Sequence, residues 1–154
     1  MSKVISLGYE YEHDYTLIGI NSTLEDHRLT YLLNRVLDIN LKRENKDLDF
    51  KVKNCAFTLY NYECKETFTS WSLIANKHLF ISNTKEEINL FEQASQISYL
   101  INEKKGIDYF LKIHGGIESS DLKLLLEKMK NVKGIVATYA IDPNILKSKD
   151  FLIF

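Results

Sequence analysis

The fold is decided by the stretch from Ile107 to Ile141, IDYFLKIHGGIESSDLKLLLEKMKNVKGIVATYAI. Its first part, Ile107–Ile113, is short and rich in aromatic and β-branched residues, which is typical of a strand. A helix capped by Ser119 or Ser120 follows, and Ile135–Ile141 predicts a second strand. This helix is apolar along one side only, so it must lie on a sheet. The apolar positions are Leu122, Leu125, Leu126 and Met129.

The N-terminal part of the chain repeats this order of elements. Tyr15–Ile20 predicts a largely buried strand, and a helix from about Thr23 to Asp38 follows it. Ser22 and Glu25 have the spacing of a capping box, in which the hydroxyl accepts from the Glu25 amide and the carboxylate reaches back. Apolar residues recur along this helix at helical spacing and predict one buried side. They are Leu29, Leu32, Leu33, Val36 and Leu37.

The residues between these two units predict further strands. Cys55–Tyr62 and Thr67–Ala75 are rich in aromatic and β-branched residues and predict a hairpin, with another strand at Leu79–Ile81. Ile97–Ile101 predicts a strand that leads through a turn into the strand at Ile107. Ser82–Ser95 is compatible with a loop and with a short helix.

We expect a single α+β domain over residues 1–154, because no linker rich in Gly, Ser or Pro divides the chain. Both helices should lie on one face of a mostly antiparallel sheet, and any crossover between parallel strands should be right-handed. The last unit, Asp108–Ile141, has the layout of half of a ferredoxin-like fold. The protein is therefore expected to be ferredoxin-like or ACT-like in part.

Composition and charge exclude several classes of partner. The chain has 20 Lys and Arg residues against 21 Asp and Glu residues, for a formal charge of −1, which argues against nucleic acid. No apolar run is long enough for a membrane span, and the N-terminal residues are unlike a signal peptide. Cys55 and Cys64 lie about 30 Å apart along a strand, too far for a disulfide. The sequence thus predicts a cytoplasmic protein.

Sequence motifs for metals, cofactors and catalysis are absent. No two of the four histidines lie within four positions of one another, and there is no CxxC pair and no glycine-rich phosphate loop. We therefore expect no metal, no cofactor and no catalytic residues. The histidines are His13, His27, His78 and His114.

The stretch from Leu100 to Tyr109, LINEKKGIDY, resembles the signature of the IPExxxVDY family of small bacterial proteins. Asn102 stands where the signature has proline, and Ile107 stands where it has valine. The signature should form a hairpin, with Glu103 in the turn and the returning strand starting at Asp108. The matching residues are Ile101, Glu103, Asp108 and Tyr109.

Weaker similarities to the same family extend over most of the chain, from about Asp14 onward. They include Asp14–Ile18, Leu24–Leu29 and the set Trp71, Leu73 and Asn76. The family has no assigned activity, so the resemblance implies a bacterial protein of unknown function and no mechanism.

Two polar residues stand out by their position. Asn21 ends the first strand, just before a helix, and Asp108 begins a strong strand. The carboxylate of Asp108 can cap a turn or pair with a basic side chain, and this structural role is favoured over catalysis. The basic partner is expected to be a lysine or an arginine, such as Arg28, Arg35 or Arg43.

Three functions remain open. The lack of catalytic motifs and the many aromatic residues in strands favour a non-catalytic module that binds a protein partner or forms a homodimer. The ferredoxin-like layout is the basis for an alternative, an ACT-like small-molecule sensor. A second alternative is an enzyme with a site near Asp108 and His114 that also uses Glu103 or Lys112. The candidate binding residues are Arg28, Trp71, Glu103 and Asp108.

Overall fold

The computed structural model describes residues 14–50, 55–81 and 95–154. Short 3₁₀ turns occupy Asn102–Lys104, Pro143–Ile145 and Lys149–Leu152. Along the chain the strands and helices are β1 (Thr16–Ser22), α1 (Asp26–Leu37), β2 (Lys42–Arg43), β3 (Leu48–Phe50), β4 (Cys55–Phe57), β5 (Leu59–Cys64), β6 (Thr69–Ala75), β7 (Lys77–Ile81), β8 (Ser95–Tyr99), β9 (Tyr109–His114), α2 (Ser119–Lys130) and β10 (Ile135–Ile141).

Six strands form one antiparallel sheet in the order β10-β1-β9-β6-β5-β2, and the pairs β3-β4 and β7-β8 form two small sheets. Four strands of the large sheet and both helices occur in the chain order β1, α1, β6, β9, α2 and β10, with β2–β5 inserted after α1 and β7–β8 after β6. This is the β-α-β-β-α-β order of a ferredoxin-like core. The ferredoxin-like layout, which was expected for Asp108–Ile141, therefore also includes the N-terminal elements β1 and α1 with β6. The strands β5 and β2 lengthen the sheet beyond β6.

Both helices pack on the same face of this sheet, as the two apolar stripes predict. Leu29 and Leu33 of α1 and Met129 of α2 belong to one buried cluster with Ile18 of β1 and Leu111 of β9. The two helices also contact each other. The expected α+β fold is confirmed, although Val36 at the end of the α1 stripe is 37% exposed.

The opposite face of the sheet is covered as well. Leu17 of β1 and Phe110 of β9 pack there with Leu100 and Ile101 from the segment before β9 and with Leu152 from the last 3₁₀ turn. The central strand β9 is therefore buried on both faces, and all residues from Tyr109 to Ile113 are buried. This explains why β9 lacks the alternation of polar and apolar residues that is typical of a half-exposed strand.

The predicted helix caps are wrong. The helix α1 starts at Asp26, and its N-cap residue Glu25 makes no side-chain capping bond. The hydroxyl of Ser22 instead accepts from the Leu24 amide and donates to the Gly134 carbonyl, so it joins the end of β1 to the turn before β10. In α2 both Ser119 and Ser120 lie inside the first turn, after an N-cap at Glu118 that also lacks a side-chain bond.

The hairpin expected for the family-like signature is also wrong. The strand β8 pairs with β7 in a separate small sheet, whereas β9 lies between β1 and β6 in the large one. Residues 100–108 instead connect the two sheets. Their apolar side chains Leu100, Ile101 and Ile107 are buried against the face of the large sheet that lies opposite the helices. The alternatives for Ser82–Ser95 concern residues that, apart from Ser95, lie outside the described part.

Two further features are the thiol at the end of β5 and the lengths of the helices. Cys64 is a free thiol. Each of the two helices has 12 residues. None of the helices in the described ranges is long and apolar enough to cross a membrane.

Candidate functional site

The two edges of the large sheet differ in length and charge. At one end, β2 consists of two exposed basic residues, Lys42 and Arg43. At the other end, β10 has seven residues, IVATYAI, and none of them is charged. No described strand pairs with the outer side of β10. Short, charged edge strands resist the addition of another strand, and long uncharged ones invite it.

Side chains on β10 fix the strand on one side and leave apolar surface on the other. Ile135 belongs to the core on the helix face, and the buried Thr138 hydroxyl faces the Leu126 carbonyl of α2 at 3.5 Å. Val136 is 72% exposed and Tyr139 is 46% exposed. The backbone of this edge is thus held in place while its two largest outer side chains contact solvent.

A groove of about 470 Å³ lies beside β10 on the sheet face opposite the helices. One wall is the segment Glu103–Ile107, and the other consists of Tyr139–Asp142 and Ile145. Ile107 and Ile141 approach Gly19 of β1 so closely that a Cβ atom at Gly19 would lie 2.6 and 2.8 Å from them. The floor is therefore apolar, and the charged side chains stand at the rim.

Asn21 connects the groove to the edge strand. It lines the groove from β1, and its Nδ2 donates to the Tyr139 hydroxyl at 3.4 Å. Its Oδ1 is buried without a hydrogen-bond partner among the described residues. Asn21, which stood out in the sequence near the end of β1, thus contacts Tyr139, the exposed aromatic residue of β10.

The wall formed by the family-like signature is held by Asn76, which is fully buried. Its Nδ2 donates to the carbonyls of Lys104 at 2.9 Å and Ile107 at 2.8 Å. Its Oδ1 accepts from the Ile101 amide at 2.9 Å. One side chain therefore fixes both ends of the turn that borders the groove.

Glu103 lies at the rim of the groove, where its Oε2 accepts from the Ser148 amide at 3.0 Å. Burial alone would raise the pKa of Glu103, but hydrogen bonds from its own backbone and from Ser148 outweigh this effect and lower it. The carboxylate thus stays ionised and joins the groove wall to the C-terminal segment.

Asp108 follows the groove wall and makes two structural contacts. Its Oδ2 accepts from the Ser22 amide at 2.9 Å, and its Oδ1 pairs with Lys77 Nζ at 2.9 Å. The hydrogen bond with Asp108 raises the pKa of Lys77. A lysine or an arginine was expected as the partner, and it is Lys77 from β7.

Replacing Asp108 by alanine should lower the free energy of unfolding by about 1.5 kcal/mol, since a carboxylate that accepts from a backbone amide is lost. Lys77→Ala should cost less than about 1 kcal/mol, because the side chain of Lys77 is 45% exposed. Urea denaturation of both variants measures this difference. Equal losses would show that the ion pair, and not the Ser22 amide, is the main contact of Asp108.

The other two candidate binding residues lie elsewhere. Arg28 is on the exposed side of α1. Trp71 is on β6 and packs against the core cluster on the helix face, and its Nε1 donates to the Thr69 hydroxyl at 3.0 Å. The four candidates do not form one site, and only Glu103 lines the groove beside β10.

The residues of the enzyme alternative are also separated. Asp108 and His114 are at opposite ends of β9, six positions or about 20 Å apart. Within the described ranges, no group of three or more His, Cys, Asp and Glu side chains has the arrangement of a metal site. Asp108 and His114 therefore do not act together on one substrate.

His114 instead lines a second groove, of about 500 Å³, near the buried Lys112. Lys112 Nζ donates to the Leu152 carbonyl and lies 4.6 Å from the ring centre of Tyr15 and 4.2 Å from that of Phe154. Burial lowers the pKa of Lys112 to about 8. Burial and the nearby Lys112 charge also lower the pKa of His114.

Comparison of the chain with protein-family models, curated proteins and solved structures finds no match. The edge strand β10 and its neighbour Ile145 were missed as site residues in the sequence. The signal that could have found them is the uncharged run Ile135–Ile141, but it identifies an edge only once the strand order is known.

Proposed function

We propose that this chain is a non-catalytic interaction module that accepts an extended polypeptide segment at the outer edge of β10. The observation that carries this proposal is the contrast between the uncharged seven-residue edge at β10 and the two-residue basic edge at β2. In this mode of recognition, main-chain hydrogen bonds supply affinity and pockets for alternate side chains supply specificity.

The groove beside β10 supports this proposal. Side chains of an added strand point alternately to the two faces of the sheet, so every second one would reach the face that carries the groove. Ile107, Ile141 and Ile145 offer this side chain an apolar floor. An apolar residue opposite Tyr139 is therefore the preferred occupant, and charged residues are disfavoured.

We also propose that the chain belongs to the IPExxxVDY family and is a bacterial cytoplasmic protein. The support is the set of matching residues in Leu100–Tyr109 and the position of that stretch as a wall of the groove. Asn76, from another family-like stretch, holds this wall through three hydrogen bonds.

Selection from a random seven-residue peptide library on the immobilised protein tests strand addition. We expect enrichment of uncharged peptides with alternating apolar residues. They should bind the variant Val136→Lys/Tyr139→Lys at least about tenfold more weakly, because two outer contacts are replaced by charges. Isothermal titration calorimetry measures the affinities.

The matched control is Tyr31→Lys/Phe68→Lys, which also replaces two exposed apolar side chains by lysines, but on α1 and in the turn between β5 and β6. It should bind the selected peptides like the unchanged protein. Equal loss of binding in both variants, or failure to enrich any peptide when the immobilised protein is monomeric, would refute strand addition at β10.

A further inference from the structure

We infer that the segment which pairs with β10 is β10 of a second copy of this chain, so that two copies form a symmetric dimer about Thr138. This inference rests on the proposed strand addition and names its partner. Two identical strands that pair antiparallel are related by a two-fold axis, and each contact then occurs twice.

The sizes of the side chains along β10 favour this axis. With Thr138 at the axis, Tyr139 lies opposite Ala137 of the second copy. Val136, where the register between β10 and β1 shifts, lies nearest Ala140. Each of the two large exposed side chains therefore has a small residue across from it. Cross-strand pairs of this kind lie about 4.5–5.5 Å apart at Cβ and are the unit of sheet stabilisation.

The neighbouring axes give poorer pairs. An axis at Tyr139 places its ring opposite the same ring of the second copy and puts Val136 opposite Asp142, which is charged. An axis at Ala137 places Tyr139 opposite Ile135, a core residue on the other face. Among these three alignments, only the one at Thr138 matches every large outer side chain with an alanine.

Charge points to the same edge. Because β10 contains no Asp, Glu, Lys, Arg or His, two copies can pair there without bringing like charges together. Self-pairing at β2 would place Lys42 and Arg43 beside the same two residues of another copy. Among the strands that the structure describes, the long uncharged edge of the large sheet is thus also the one that fits itself.

Light scattering on a size-exclusion column tests the identity of the partner. The unchanged chain of 18.0 kDa should reach a mass of twice this value across the micromolar range. Val136→Lys/Tyr139→Lys should be a monomer, and Tyr31→Lys/Phe68→Lys should remain a dimer. A monomer at all concentrations would overturn the inference, while peptide selection could still support strand addition.

Disulfide trapping tests the register. Under mild oxidation, Val136→Cys/Ala140→Cys should give a covalent dimer whose linked peptides join positions 136 and 140, since opposite strand positions have the Cα spacing that a disulfide needs. Ala137→Cys alone and Tyr139→Cys alone should form no such link at those positions. A link from either single variant would overturn the axis at Thr138, even if the protein is dimeric.

Discussion

Replacement of Asn76 by alanine should lower the free energy of unfolding by about 3–5 kcal/mol, because three buried hydrogen bonds are lost together. The Ile107 carbonyl loses its donor, the Ile101 amide loses its acceptor, and the Lys104 carbonyl keeps only the Ile107 amide as a donor. Asn76 is fully buried, so water cannot replace these bonds without entering the core. Chemical denaturation followed by circular dichroism measures the loss.

The matched control is Asn102→Ala, at an exposed position of the same turn. It should change the free energy of unfolding by less than about 0.5 kcal/mol. Hydrogen exchange at the Ile101 amide gives a second measurement, and this amide should lose protection selectively in Asn76→Ala. A loss below about 1 kcal/mol with unchanged exchange would mean that the groove wall is held by its apolar contacts alone.

Lys112→Met should remove a pH-dependent part of the stability. Burial lowers the pKa of Lys112 from 10.5 to about 8 in the folded protein. Between these two values the unfolded chain binds more protons at this site than the folded chain, so the free energy of unfolding rises with pH. The rise amounts to about 3 kcal/mol from pH 7 to pH 10.5.

Urea denaturation at several pH values measures this effect as the difference between the two proteins. The free energy of unfolding of Lys112→Met should exceed that of the unchanged protein most at and below pH 8. This difference should shrink by about 3 kcal/mol toward pH 10.5. Burial raises the pKa of Tyr109 to about 12, so the free energy of unfolding falls above pH 10 in both proteins. This effect of Tyr109 is the same in both and cancels in their difference. Parallel pH profiles would contradict the burial of an ammonium group at Lys112.

An exposed lysine provides the control for this series. Lys128→Met, on α2, removes the same charge from an exposed position. Its pH profile should follow that of the unchanged protein. If the stability difference between Lys128→Met and the unchanged protein also shrank toward pH 10.5, the effect would come from net charge and not from the surroundings of Lys112.

The helices and most strands could be predicted because local patterns determine them. The stripes of α1 and α2 have helical spacing, and β10 has the predicted bounds Ile135–Ile141. The helix caps could not be predicted, because the Ser22 hydroxyl bonds to the Gly134 carbonyl, 112 positions away. A short-range motif was outweighed by a long-range contact that the sequence does not display.

The candidate site was harder to predict, because it depends on strand order. Glu103 was identified from the family-like signature and does line the groove, but the partner of that segment is Asn76, 28 positions before Lys104. The sequence showed Lys112 as one polar residue in a strand. Its burial follows from the register with Leu17 on β1 and from the cover that Leu152 provides.

The short basic strand at the far side of the sheet has a consequence for assembly size. Once two copies have joined through β10, the ends of the combined sheet are the two β2 strands, each with Lys42 and Arg43. A third chain that approached either end would meet Lys42 and the ion pair of Arg43 with Asp47, on a ladder only two residues long. Assembly would therefore stop at two chains and would not continue into fibres. Each chain would carry one edge that pairs, β10, and one edge that prevents further strand addition, β2.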